Sequence, residues 1–207
     1  DKSHPIVRVE MMKHFAESVD IPGLGGGNIQ KLIDGGFPTL ESVITATPLQ
    51  ISTAVGSAAI GQKIWNGIHM KLQGIEKHTL LGAHPAFGRG VGSRKMKKLM
   101  SAFNGDLTKL RDPAAIVAVE GFEQKTASKI VAGCAEFEHF LSCIEGHYSF
   151  AVPKVTMQHL ASYNVVITGF RDSDLVAFIE SGGGKVSDSV SKKTTHVVAA
   201  NPTETSG

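Results

Sequence analysis

The chain has 207 residues, of which 42% are hydrophobic and 6% aromatic, and its formal net charge is +2. That length holds one or two domains with packed cores, while so few aromatics leave little material for stacking single-stranded bases. No run of 18 apolar residues and no signal peptide is present, so no membrane span is expected. The two cysteines, Cys134 and Cys143, have no CxxC partner, so neither a zinc site nor a disulfide framework is expected, and an intracellular protein follows.

In chain order, Ile6 to Val19 reads as an amphipathic helix through Met11, Met12, Phe15 and Val19. Ile21-Pro22-Gly23-Leu24-Gly25 is a short apolar hairpin, and Asn28 to Asp34 is the helix it opens, stopped by Gly35-Gly36. Thr39 caps a short helix to Thr45, and Thr47-Pro48 starts another. Ala54-Val55-Gly56-Ser57-Ala58 is a second hairpin, with Gln62 to Leu72 as its helix and Trp65 as a buried anchor. A further helix spans Ile75 to Leu81, broken at His84-Pro85. Arg89-Gly90-Val91-Gly92 is a third hairpin and leads into a basic helix, Arg94 to Phe103. Asp106 to Leu110 and Pro113 to Val117 repeat the short elements seen near Thr39 and Pro48, and Val119-Glu120-Gly121-Phe122-Glu123 is a fourth hairpin before a helix to about Ile144.

The four anchors Gly23, Gly56, Gly90 and Gly121 are 33, 34 and 31 residues apart, a period that signals a helical repeat. Copies one and two correspond to copies three and four, so a two-motif unit is duplicated. Each hairpin needs φ > 0 at a corner, which Gly supplies without steric cost, and each ends at a helix N-terminus whose free N–H groups favour an anion. Taken as DNA phosphate, that anion makes the unit a helix-hairpin-helix motif; a generic helical bundle is the alternative. Between Ala83 and Arg111 seven basic residues (Arg89, Arg94, Lys95, Lys97, Lys98, Lys109, Arg111) face one acid, Asp106, a local charge of +6 around the third hairpin. Beside a phosphate-type hairpin this reads as a backbone-binding patch.

Residues 147–162 lose periodicity and read as a linker between a helical domain, 1–146, and a second unit, 163–207. There Asn164 to Thr168 is a β-branched strand, Asp172 or Ser173 caps a helix through Ile179, and Lys185-Val186 and Thr195 to Ala199 are further strands. This is a small α/β domain with a parallel start, too short to cover both faces of its sheet, so it is expected to be cut short. The fold class is therefore mainly α, four helix-hairpin-helix motifs in a helical domain, followed by a truncated α/β domain.

That second half resembles the start of a BRCT domain, through Thr168-Gly169-Phe170, Gly183-Gly184-Lys185-Val186 and Ser191 to Val198. With the four hairpins before it, the chain looks like the C-terminal part of an NAD-dependent DNA ligase; Phe87 to Gly92 and Gly121 to Ala127 are further echoes. The resemblance implies a parent enzyme that passes AMP from NAD to a lysine and then to a 5′-phosphate, after which the 3′-hydroxyl displaces AMP. No KxDG lysine, NAD-binding segment, OB-fold or four-Cys zinc module can be read here, so this chain is expected to be inactive alone, to bind no cofactor itself, and to carry no catalytic or metal residues. Its expected partner is double-stranded, nicked DNA, met by Gly23, Gly25, Gly56, Arg89, Gly90, Gly92, Arg94, Lys95, Lys98, Gly121 and Lys125. Glu123 puts a negative charge near the fourth hairpin, which is expected to bind DNA weakly or to serve structure only. Thr168 and Gly169 match positions that bind phosphate in some BRCT domains, implying a protein partner as well. A monomer located with DNA, in cytoplasm, nucleoid or a viral replication site, completes the expectation. Two rivals stand beside it. One is a helix-hairpin-helix glycosylase with Lys125 as nucleophile, which needs an Asp some twenty residues on, where glutamates such as Glu138 and Glu145 stand instead; the other is a non-catalytic repair scaffold.

Overall fold

The computed structural model of the chain describes residues 4–88, 90–152 and 160–200. Two units emerge, 1–152 and 153–207.

The first unit is helical: α1 (Pro5–Val19), α2 (Gly26–Asp34), α3 (Leu40–Ile44), α4 (Pro48–Val55), α5 (Ala58–Leu72), α6 (Lys77–Ala83), α7 (Ser93–Ala102), α8 (Pro113–Val117) and α9 (Gln124–Cys143). Local chemistry sets the boundaries. Thr39 with Ser42, and Thr47 with Gln50, form reciprocal capping boxes, each satisfying two orphan donors at the start of α3 and α4. Asp112 accepts from the N–H groups of Ala114 and Ala115 at the start of α8. Two expected boundaries move. The second-hairpin helix begins at Ala58 rather than Gln62, because the Ser57 hydroxyl accepts the Ile60 N–H and already caps it there. Ile75 is not helical, because its N–H donates to Ser149 O and its carbonyl accepts from Ala151 N, which commits it to an extended bridge with Phe150. The same bonds hold residues 149–151, placed in a linker by the sequence, onto this unit.

One apolar core runs through the helices, with Phe15, Phe87 and Phe140 fully buried. Phe15 meets Phe140 edge to face at 6.1 Å between centroids, tying α1 to α9. His84 is buried between Phe137 and Phe140, and its Nδ1 accepts the Ala86 N–H at 3.2 Å. Trp65, expected as a buried anchor, is half-buried and stacks on His69 at 4.0 Å.

The second unit has three parallel strands, β1 (Asn164–Thr168), β2 (Lys185–Ser187) and β3 (His196–Ala199), in the order β2-β1-β3, with α10 (Ser173–Ser181) between the first two in sequence. The central β1 buries Val165 and Val166, and α10 buries Ile179. Asp172 caps α10 by accepting from Asp174 N and Leu175 N. The fold is thus mainly α with a small α/β part. Among the described residues no helix is long and apolar enough to cross a membrane.

Candidate nucleic-acid interface

The corners are built alike. Gly23, Gly56, Gly90 and Gly121 have φ of 82°, 73°, 88° and 86°, a region where a side chain is strained. Beside them an apolar residue turns inward: Leu24, Val55, Val91 and Phe122 are all buried. Anchoring that residue in the core leaves the glycines at the surface. The first corner is locked further by Asn28, whose side-chain amide donates to Gly23 O at 2.8 Å.

What each corner offers differs. Gly25, Gly92 and Glu123 are the N-caps of α2, α7 and α9, and none caps its helix with a side chain. Among the described residues, the N–H groups of Gly23, Gly25, Gly26, Gly27, Gly90, Gly92, Ser93 and Arg94 meet no protein acceptor. A Cβ built on Gly25, Gly26, Gly27, Gly90 or Gly92 would meet nothing within 4 Å. Corners one and three therefore present bare donors, in open space at these five glycines, at the positive end of a helix dipole. Corner two is more nearly satisfied, with Ala58 and Ala59 N–H left without an acceptor among the described residues. Gly56 donates its N–H to Thr53 O as the C-cap of α4, Ser57 N donates to Ser52 O, and the Ser57 hydroxyl takes Ile60 N–H. The expected donor at Gly56 is corrected on that ground: the amide is already spent inside the protein.

The basic residues also sort themselves. Arg94, Lys95, Lys97 and Lys98 are exposed on α7, whose opposite face buries Met96 and Leu99. Lys98 Nζ lies 3.3 Å from Glu120 Oε2, across the fourth corner. Arg111 is paired with Glu138, whose carboxylate raises the guanidinium's already high pKa, and Lys77 Nζ donates to Gly105 O at 2.7 Å. Lys125 is exposed in the first turn of α9, one residue beyond Gln124 and two beyond Glu123. Arg89 lies outside the described residues. The positive field thus concentrates on Arg94, Lys95 and Lys97 beside corner three, while corner four carries Glu120 and Glu123. Glu138, the nearer carboxylate open to the glycosylase reading, is the one engaged by Arg111.

In the second unit Thr168 ends β1 with its side chain exposed, and its carbonyl accepts from Ala200 N at 3.2 Å. Gly169 follows with φ of 80°. Among the described residues there is no cluster of three or more His, Cys, Asp or Glu that could hold a metal ion.

Residues 158–207 match the model of the BRCA1 C Terminus (BRCT) domain. Over 97% of its length the chain is 29% identical to the DNA ligase of Acanthamoeba polyphaga mimivirus, and it covers 33% of that protein. The chain is a relative of the C-terminal region of DNA ligases. A DNA ligase of Gloeobacter violaceus is 27% identical over 90% of the chain, which covers 29% of it. A putative DNA ligase of Invertebrate iridescent virus 6 is 26% identical over 95%, with 32% covered. The chain thus spans about a third of the length of these ligases.

Positions absent from the sequence reading hold this ligase-like helical unit in shape. Cβ atoms on Gly67 and Gly133 would sit 2.6 Å from Pro22 Cδ and from Ala86 O, so α5 and α9 press their glycines against the chain entering corners one and three. A Cβ on Gly82 would likewise sit 2.2 Å from Ser93 N, so α6 is held close against the start of α7. A signal existed: Lys63-Ile64-Trp65-Asn66-Gly67 and Lys129-Ile130-Val131-Ala132-Gly133 share a KIxxG pattern at the same distance from their N-caps.

Proposed function

We propose that this chain grips the backbone of duplex DNA around a nick, as the C-terminal part of an NAD-dependent DNA ligase in replication or repair. The observation that carries this is the coincidence, at corner three, of unpartnered amides at a glycine turn with the exposed cations of α7, in a chain related to DNA ligases. Backbone N–H donors and lysine or arginine charges meet phosphates without reading bases, so binding is independent of sequence. Corner one offers the same amides, corner four is weakened by Glu120 and Glu123, and corner two contributes shape. NAD supplies the adenylyl group in such an enzyme, and the residues of this chain position the duplex. The protein acts as a monomer, within the cell and on DNA.

The charge-reversed double variant Arg94→Glu, Lys95→Glu tests this in a binding assay on nicked duplexes of several sequences. Loss of affinity by a similar factor on all of them is the expected result. Unchanged affinity on every duplex would remove α7 from the interface. A second reading, a repair scaffold whose BRCT half binds a phosphoprotein, draws on the exposed Thr168 and the left-handed Gly169. It requires that Thr168→Val abolish phosphopeptide capture while DNA binding persists.

A further inference from the structure

The four helices that follow the corners share a residue that the corner motif does not demand. Six positions beyond the N-cap stands a lysine in every one: Lys31 after Gly25 in α2, Lys63 after Ser57 in α5, Lys98 after Gly92 in α7 and Lys129 after Glu123 in α9. Lysine makes up 16 of the 207 residues, so composition does not produce this recurrence. The flanking apolar residues keep the same register: Leu32, Ile64, Leu99 and Ile130, one position on, are all buried. The lysines therefore occupy equivalent places on their helices.

Where they reach is reciprocal within a pair of copies. Lys31, from copy one, donates to Val55 O at 3.3 Å, the carbonyl just before the corner of copy two. Lys63, from copy two, lays its stem over the corner of copy one, with Cδ and Cγ at 3.7 and 3.8 Å from where a Gly23 Cβ would be. Lys98, from copy three, puts Nζ 3.7 Å from the Cβ position of Gly121, at the corner of copy four. Lys129, from copy four, rides on α9, whose Gly133 packs against Ala86 and Phe87 on the way into the corner of copy three. Corners one, two and four are thus each met by a lysine from the second helix of the pair partner, and Lys129 holds the equivalent register on α9.

Two of the four are engaged, Lys31 by the Val55 carbonyl and Lys98 by Glu120. Lys63 and Lys129 are exposed and have no acidic or carbonyl partner among the described residues. Lys63 lies over corner one, and Lys129 holds the equivalent place on α9, whose Gly133 meets the chain entering corner three. Corner one needs a cation from elsewhere. Its own stretch from Asp20 to Asn28 contains no basic residue, and the Asp20 carboxylate is held by Lys71 at 2.6 Å.

We infer that Lys63 and Lys129 are DNA-backbone ligands, each completing in trans the phosphate site formed by the amides of the other copy's corner. The site is composite: one copy supplies neutral donors at a place without side chains, and its partner copy supplies the charge. This rests on the duplex-gripping reading and adds two named phosphate ligands to it, related by the internal duplication.

The test is a salt titration of the whole chain on nicked duplex DNA, with Lys63→Gln, Lys129→Gln and the double variant, alongside thermal unfolding. Removing one phosphate-neutralising cation lowers the slope of log K against log salt by about 0.9, so each single variant should flatten it by about 0.9 and the pair by about 1.8. Melting midpoints should not move, and Lys63→Arg with Lys129→Arg should keep the wild-type slope. A steep wild-type slope that is unchanged in the double Gln variant overturns this inference and leaves the gripping surface standing. A lowered midpoint with an unchanged slope assigns the two lysines to structure and overturns it as well. A flat wild-type slope defeats both this inference and the reading it rests on.

Discussion

Gly82→Ala is the sharpest test of how corner three is held. Gly82 lies near the end of α6, and an added Cβ would sit 2.2 Å from Ser93 N, 2.4 Å from Ser93 Cα and 2.8 Å from Gly92 C. Ordinary contact starts at 3.4 Å, so α6 and the start of α7 must part by about 1 Å. Both sides are backbone, and no rotamer change relieves the overlap. The gain from replacing Gly by Ala in a helix is at most about 1 kcal/mol, whereas overpacking against an unyielding wall costs about 3 kcal/mol, the upper end of the usual range. The net expectation is destabilisation by about 2 kcal/mol, with the offending atoms lying at the N-cap and first residue of the basic helix. Urea unfolding followed by circular dichroism measures it: the midpoint should fall with no change in m. A variant as stable as wild type, within about 0.5 kcal/mol, would mean that the close approach of α6 to α7 is not a feature of the folded protein.

Two further substitutions or probes separate stability from function. Gly27→Ala meets open space in the first turn of α2, so the fold should be unchanged or stabilised by up to about 1 kcal/mol. The new methyl stands where a phosphate must approach the amides, so affinity for nicked duplex should drop roughly tenfold, about 1.4 kcal/mol; undiminished affinity removes corner one from the interface. Cys134 is buried and burial pushes its thiol up to about 11, while Cys143 is exposed. A thiol reagent at pH 8 should modify one cysteine in the native chain and two in denaturant. Because the folded value lies above the unfolded one, the contribution of Cys134 to stability is intact below the ordinary thiol range and declines as pH rises towards 11. Equal reactivity of both thiols in the native state would contradict its burial.

Much of this was legible in the residues because the signals are local. The four corner glycines are conformationally compelled, and all four adopt the left-handed region that a tight turn demands. Thr39, Thr47 and Asp172 cap as their positions before apolar runs suggest, and β1 begins and ends where its β-branched run does. Non-local facts were harder to see. Nothing near Ile75 announces that Ser149 and Ala151 will claim its backbone groups. Nothing near Lys98 or Arg111 shows that Glu120 and Glu138 will answer their charge, which is why a count of basic residues overstated the patch. Gly56 is equivalent to its fellows in sequence, yet the serine after it lets that corner take up the Gly56, Ser57 and Ile60 amides itself. The repeated lysines were readable in principle, but only once the N-caps fixed the register.

Bare corner amides and neighbouring cations that meet a nucleic-acid backbone must release counterions, so binding to a nicked duplex is measured as salt is raised. With roughly 4–8 phosphates neutralised, log K against log salt should run with a slope of about −4 to −7. A slope near zero over the same range would mean that the corners and α7 do not hold phosphates.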